Sequence, residues 1–315
     1  GWGYEWGNGP VSEGTLFEIP YRVYLHTGDD SLLKKGLPYF EKYNRYLQGC
    51  KNEDGDILYG LDDWAARIDK DKVGAGFINK IFTVKFLKIT LFAQKLCGKE
   101  DSETLALLEK EIKETKEKYI KKDGTCTIEK QTAVAMLIYN DIYDDIKPLA
   151  QQLKRLVEEK DFHHDCGMVG IRRLYIALNK CGLQDYAYKI ITAKGFPSYT
   201  SWVESGATTL CETWQMTESQ NHHMYSDFMS WMMKTIVGIG VNPNYPGFER
   251  VEIKPYFFKE LTYAKGYCDT VRGRIAVEWQ RDGDEIKLKI EAPFAAEVYY
   301  DGKKMRSGVN YIKCK

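Results

Sequence analysis

The chain has 315 residues and equal numbers of basic and acidic side chains, 45 of each, so no net charge draws it to nucleic acid or to an anionic membrane surface. No apolar run approaches the ~20 residues of a membrane span, and the start carries no signal-peptide pattern. Aromatic residues make up 13% of the chain, which suits either a large aromatic core or surfaces that stack against sugars. We therefore expect a small-molecule or saccharide ligand, with no nucleic-acid or membrane partner.

Apolar residues recur at three- and four-residue intervals in one segment after another between residues 15 and 240, which predicts about nine helices. The predicted helices cover residues 16–25, 32–47, 78–96, 103–120, 132–146, 146–160, 169–182, 183–191 and 223–240. Their connections are short and contain turn and helix-stop residues, such as HTGDD at 26–30. This organisation favours antiparallel helix pairs, stacked as an array or closed into a ring.

The hydrophobic period changes to two after about residue 245. Apolar and polar residues alternate in VEIKP, RIAVEW, EIKLKI and AEVYY, and DGDE and YDGK between them are typical of hairpin turns. The pattern predicts a small antiparallel β-sandwich behind the helices. We place the domains at residues 1–243 and 244–315.

The chain has eight cysteines without a CxxC pair or a regular spacing. This distribution predicts reduced, mostly buried thiols, and it favours a reducing, cytoplasmic location. A metal site is one interpretation of the string His163, His164, Asp165 and Cys166. Consecutive side chains, however, rarely converge on one ion without ligands from distant parts of the chain. We therefore predict no metal and no cofactor, and a loop whose histidine approaches a ligand pocket.

The first segment suited to a ligand site is GWGYEWGNGPVSEG, residues 1–14, where three aromatic rings and two acids lie among five glycines. Glycine frees the backbone while the rings offer stacking faces, so this segment is a candidate for ligand contact. A plain N-terminal arm is the alternative.

The second segment is YGLDDWAAR, residues 59–67, between two predicted helices. The adjacent acids Asp62 and Asp63 beside Trp64 are typical of a sugar subsite, in which carboxylates accept from hydroxyl groups and an indole covers the C–H face. A helix N-cap would explain one of the two adjacent acids without any ligand.

The third segment, residues 201–228, contains GATTL followed by Cys211, Glu212 and Trp214, with His222 a few residues later. An acid beside a tryptophan and close to a histidine indicates a carboxylate that is held and tuned for chemistry. Any single one of these residues has a structural explanation, but together they are less easily explained by packing.

These motifs together resemble the bacterial α-L-rhamnosidases, whose members typically carry GATT-(L/I)-W-E-x-W and then an N-H segment that opens a barrel helix. The resemblance runs through nearly the whole chain, at residues 17–29, 61–64, 166–199, 205–231 and 238–255. It implies an (α/α)6 toroid followed by a β-sandwich, and an inverting glycosidase in which one carboxyl group protonates the leaving oxygen while another activates water.

The resemblance also implies roles for individual residues. Glu212 matches the family's general base, Trp64 its sugar-contacting tryptophan with Asp63 beside it, and His222 its motif histidine.

Cys211 stands where the family usually has tryptophan. Ser12 and Glu13 stand where relatives commonly have an aromatic-acid pair, so Glu13 would keep the acidic role and either Trp2 or Trp6 would replace the missing ring.

The family's general acid lies in an Arg-Asp-Glu-type motif upstream of the segment with which this chain begins, and no such motif occurs here. An (α/α)6 barrel has twelve helices, three more than the nine predicted. We therefore expect a fragment whose partner is a missing N-terminal segment, a second chain or a homodimer. The sequence leaves open whether an acid within the chain takes the role instead, the candidates being Glu13, Asp62, Asp63 and Glu204. The alternatives are a non-catalytic sugar-binding protein derived from this family and a glycosidase for a related sugar.

Overall fold

The computed structural model of the chain describes residues 9–66, 72–99 and 102–314. These residues contain eleven α-helices and one π-helical turn, Met233–Val237. The helices are α1 (Pro10–Glu13), α2 (Thr15–Thr27), α3 (Ser31–Gly49), α4 (Ala75–Leu96), α5 (Ser102–Tyr119), α6 (Gln131–Tyr139), α7 (Ile146–Glu158), α8 (Met168–Lys180), α9 (Gln184–Ile191), α10 (Tyr199–Glu204) and α11 (Asp227–Met232).

Two predicted helices are shorter in the structure than the apolar pattern indicated. Helix α6 ends at Tyr139 instead of continuing to residue 146, because Asp141 adopts a left-handed conformation with φ of 57° and the Ile142 amide donates to the Leu137 carbonyl at 3.0 Å. The last helix begins at Asp227 rather than at residue 223, after an irregular loop.

The chain divides into two compact units. The helical unit consists of Gly1–Phe17 and Gly36–Phe228, and the sheet unit of Glu18–Lys35 and Met229–Lys315. The bounds of the domains expected from the sequence stay a prediction.

Helices α6 and α8 lie close together and form part of the core of the helical unit. A Cβ atom at Gly170 would lie 1.9 Å from Oγ1 of Thr132, so only glycine allows this approach. The surrounding side chains of α6 and α8, such as Leu137 and Leu174, are fully buried. Burial of the apolar faces of both helices stabilises this part of the fold.

The described residues of the sheet unit form seven strands in two sheets. The strands are β1 (Arg250–Ile253), β2 (Tyr263–Thr270), β3 (Gly273–Asp282), β4 (Glu285–Ala292), β5 (Glu297–Tyr300), β6 (Lys303–Lys304) and β7 (Gly308–Cys314). One sheet has the order β2-β3-β4-β7 and is antiparallel throughout, and the other has the order β1-β5-β6 with a parallel β1–β5 pair. The buried Trp279 of β3 donates its indole N–H to the Ile236 carbonyl at 2.8 Å.

The predicted fold class, a helical domain followed by a small β domain, is confirmed. One detail differs, because the β1–β5 pair is parallel. Within the three described ranges, no helix combines the length and the apolar character that crossing a membrane requires.

Candidate functional site

The segment that carries Glu212 folds back on itself. The Glu212 amide donates to the Ser219 carbonyl at 2.8 Å, and the His222 amide donates to the Leu210 carbonyl at 2.8 Å. These two bonds place Glu212 opposite His222, with 3.6 Å between Oε2 of the carboxylate and Nδ1 of the imidazole. Two predicted site residues are thus neighbours in space.

Both side chains of this pair remain partly open to solvent, Glu212 at 26% and His222 at 32% exposure. Their separation of 3.6 Å exceeds that of a hydrogen bond, so each group keeps the capacity to bind a water molecule or a hydroxyl group. A carboxylate that is held from the backbone and reaches solvent is placed to take a proton from water.

A cluster of buried aromatic rings lies next to the Glu212 segment. Trp214 stacks on Trp202 of α10 with ring centroids 4.3 Å apart, and the Trp202 indole N–H donates to the Trp214 carbonyl at 3.1 Å. Tyr225 and His164 each lie 4.6 Å from Trp214. All four rings are at most 2% exposed, so they fix the backbone beside Glu212 rather than offer a face to a ligand.

Asp63 lies in a different environment. Its side chain is 0% exposed, and its two oxygens accept from the amides of Gly167 (2.8 Å), Val169 (3.1 Å) and Gly170 (2.9 Å) and from the Thr132 hydroxyl. Burial raises the pKa of Asp63, and these four hydrogen bonds oppose the rise. Asp63 therefore supplies the acceptor for the first amides of α8 from a distant segment, while the N-cap residue of this helix is Gly167.

This burial disagrees with the expectation that Asp63 contacts a substrate. Four protein donors occupy the carboxylate, and any further polypeptide added around it would only enclose it more. The physical reason lies in α8, whose first amides have no helical acceptors and need one from outside the helix.

Trp64, next to this anchor, is half-buried. Its carbonyl accepts from the Met168 amide at 2.8 Å, and Nζ of Lys72 lies 5.4 Å from the centre of its ring. The following residue, Ala65, has a φ of 57°, and its carbonyl accepts from the Tyr225 hydroxyl. Burial raises the pKa of Tyr225, which keeps that hydroxyl protonated and able to donate.

Tyr225 thereby joins two loops that the sequence keeps 160 positions apart. Its hydroxyl binds the Trp64 loop, while its ring packs against Trp214, two residues beyond Glu212. Sequence reasoning missed Tyr225, because a single tyrosine in MYSDF carries no distinguishing local pattern.

Glu13 lies in α1 and is half-buried. Its carboxylate accepts from the Tyr43 hydroxyl, and burial together with this bond raises the pKa of Tyr43. Just before α1, a Cβ atom at Gly9 would lie 2.9 Å from Cα of Gly60, so the chain here runs against the segment that leads to Trp64. Trp6 lies outside the described residues.

The histidines of the string at 163–166 contact other parts of the chain. Among the described residues, no group of three or more His, Cys, Asp or Glu side chains could hold a metal ion. The His163 ring lies within hydrogen-bond distance of the Asp161 carbonyl (2.8 Å) and the Lys194 carbonyl (3.0 Å), and His164 is buried beside Trp214.

Comparison with known proteins gives two matches to family models. The bacterial alpha-L-rhamnosidase 6 hairpin glycosidase domain matches residues 4–236, and the bacterial alpha-L-rhamnosidase C-terminal domain matches residues 240–306. Together they cover most of the chain.

Curated relatives carry the same family name. An alpha-L-rhamnosidase of Streptomyces avermitilis is 26% identical over 306 residues, which are 91% of this chain and 28% of the relative. One from Formosa agariphila is 27% identical over 303 residues, which are 89% of this chain and 32% of the relative. The chain thus spans about a third of the length of these relatives.

Solved structures show the same fold. The Streptomyces avermitilis alpha-L-rhamnosidase complexed with L-rhamnose superposes with a TM-score of 0.85 at 23% identity, over 95% of this chain and 31% of that protein. The alpha-L-rhamnosidase from Aspergillus terreus gives a TM-score of 0.84 at 22% identity, over 95% of this chain and 38% of that protein. This chain therefore has the fold of the six-hairpin glycosidases.

Proposed function

The chain belongs to the bacterial α-L-rhamnosidase family, and we propose that it forms part of an inverting glycosidase that removes terminal α-L-rhamnosyl groups. One observation carries the proposal: the partly exposed Glu212 carboxylate, held by its backbone and facing His222 at 3.6 Å. This pair is the arrangement of a general base beside a polar group that binds substrate or water. The helical part, residues 1–243, would hold the catalytic site, and residues 244–315 would form a β domain that follows it in the chain.

In the proposed reaction Glu212 takes a proton from a water molecule, and that water attacks the anomeric carbon from the face opposite the leaving group. Inversion needs a carboxylic acid about 6.5 to 9.5 Å away to protonate the leaving oxygen. We assign this acid to residues outside the 315 of this chain, because the expected acid motif does not occur in the sequence.

Trp64, His222, Glu13 and Trp6 are the proposed substrate contacts. The half-buried Trp64 would cover the C–H face of the sugar, and the partly exposed His222 would bind a hydroxyl group. Asp63 does not contact the substrate in this proposal. It is the buried residue that holds the Trp64 loop to the N-terminus of α8.

Relatives about three times as long as this chain support the view that further polypeptide completes the site. It could be an N-terminal segment of the same protein, a second chain or a homodimer partner. The eight cysteines all lie within the described residues and form no disulfide bond there, which fits the cytoplasmic location that we propose.

Release of p-nitrophenol from its α-L-rhamnoside tests the proposal. Three proteins are compared: this chain, a version extended upstream to the relatives' length, and the extended Glu212→Gln variant. We expect activity in the extended protein and a loss of ~10²–10⁴-fold in the variant, because the amide cannot accept a proton from water.

Glu218 provides the matched control, since it is an exposed glutamate in the same loop. The extended Glu218→Gln variant should keep its activity within about twofold, as expected for a surface change away from the chemistry. Full activity of the Glu212→Gln variant would refute the base assignment. An extended protein that binds L-rhamnose without releasing p-nitrophenol would instead identify a sugar-binding protein.

A further inference from the structure

A cavity of about 490 Å³ lies on the four-stranded sheet of the sheet unit. Its origin is visible in the strand register, which places Ala276 of β3 between Tyr267 of β2 and Glu291 of β4. A methyl group flanked by two long side chains leaves a depression in the sheet surface, because neighbouring strands are only ~4.8 Å apart. We call this depression the Tyr267 cavity.

The next row of the same sheet face supplies charged walls. Lys265, Glu278 and Lys289 follow one another across β2, β3 and β4, and all three line the cavity. Nζ of Lys289 lies 3.9 Å from Oε2 of Glu278, which is too long for a hydrogen bond. Both groups therefore keep hydrogen-bonding capacity for a ligand.

The ring of Tyr267 forms a further wall and is 57% exposed. The Arg274 guanidinium lies 4.1 Å from the ring centre, and it is itself held by Asp269 through two bonds of 2.7 and 2.9 Å. Arg274 thus covers one side of the ring. The exposed remainder of the ring is suited to stacking against a flat apolar face.

The charges at the cavity balance. Lys265, Arg274 and Lys289 provide three positive groups, and Glu278, Glu291 and the Asp269 partner of Arg274 provide three negative ones. Such a surface neither attracts nor repels strongly charged ligands, so it matches an uncharged molecule. A ligand that contacts both signs must donate to carboxylates and accept from ammonium groups.

We propose that the Tyr267 cavity is a binding site for a neutral sugar unit, distinct from the candidate site at Glu212. Sugar hydroxyl groups donate and accept at once, as the Glu278–Lys289 pair requires, and the C–H face of a pyranose matches the Tyr267 ring. The cavity has the volume of a ligand pocket for one or two sugar rings. Binding at this cavity requires no catalysis, so the proposed sugar site does not depend on the proposed hydrolysis.

The test measures binding of methyl α-L-rhamnoside and cellotetraose, with trigalacturonate as the acidic probe, by calorimetric titration of the 315-residue chain. The chain carries Trp64→Ala, so that binding at the candidate active site does not contribute. Tyr267→Ala removes the ring, and Ala276→Phe fills the cavity without removing any polar group. Tyr263→Ala is the matched control, because Tyr263 is exposed on the same face of β2 but does not line the cavity.

We expect at least one neutral probe to bind, Tyr267→Ala to weaken it by about 2–10-fold and Ala276→Phe to weaken it at least as much, with Tyr263→Ala within about twofold. Circular dichroism confirms that each variant is folded. Binding that is unchanged in both cavity variants, binding lost equally in Tyr263→Ala, no binding of either neutral probe, or tighter binding of trigalacturonate would each overturn the proposal.

Discussion

Asp63 and Glu212 are both acids close to a tryptophan, and the structure places them in opposite environments. Asp63 is 0% exposed and accepts from four protein donors, whereas Glu212 is 26% exposed and lies 3.6 Å from a single histidine. Protein donors already occupy the carboxylate of Asp63, whereas the carboxylate of Glu212 can still bind a ligand or take part in a reaction. An acid beside a tryptophan therefore does not by itself distinguish an anchor from a reactive group.

The Asp63→Asn variant tests the difference between the two acids most directly, and we expect it to have the largest effect on stability. An asparagine NH₂ would face two of the four donors and leave them without an acceptor, so we expect the free energy of unfolding to fall by about 3 kcal/mol. Chemical denaturation measures it. The control is Asp62→Asn, a change at the adjacent half-exposed acid, which should cost less than about 1 kcal/mol. Equal losses in both variants would contradict the anchor role.

The same anchor can be disturbed from the side of α8. A Cβ atom at Gly167 would lie 2.2 Å from the Asp63 carbonyl oxygen and 2.3 Å from that of Trp64, so Gly167→Ala should cost about 2–3 kcal/mol. Gly74→Ala serves as the control, since a Cβ atom there meets nothing within 4 Å and φ is −61°. Thermal unfolding of the two variants compares them, and a tolerated alanine at 167 would mean that the loop is not packed this closely.

Tyr225 joins the two regions, so its hydroxyl should affect both. Tyr225→Phe keeps the ring packing on Trp214 and leaves the Ala65 carbonyl without its donor, which should cost about 1–2 kcal/mol of unfolding free energy. In the extended protein we expect KM for the p-nitrophenyl rhamnoside to rise more than kcat falls, because the Trp64 loop is released while Glu212 stays in place. A fall in kcat at constant KM would show that Tyr225 acts on Glu212 instead.

The smallest expected effect on stability is that of Glu212→Gln. The backbone, not the carboxylate, holds this residue, so the free energy of unfolding should change by less than about 0.5 kcal/mol. Denaturation of the 315-residue variant measures this value, which needs no activity. A loss as large as that in Asp63→Asn would place Glu212 among the structural acids and would remove the distinction between the two regions.

Much of the helical architecture was predictable, because amphipathic periodicity is a local property. The pattern over residues 32–47 predicts α3 at Ser31–Gly49 to within two residues. Where local conformation overrides periodicity the prediction was wrong, as at Asp141, whose left-handed backbone ends α6 seven residues early. The parallel β1–β5 pair could not be predicted either, because the alternation of apolar and polar residues does not specify which strands pair.

The candidate site divides in the same way. The sequence by itself determined the family, the order of helices and strands, and the Glu212–His222 segment, because ten residues and two backbone bonds bring that pair together. Only the tertiary structure decided the surroundings of each acid. The four donors of Asp63 lie 69 to 107 positions further along the chain, so its burial follows from how α6 and α8 pack and from no local pattern. The role of a carboxylate depends on desolvation and on its partners, and both are properties of the folded chain.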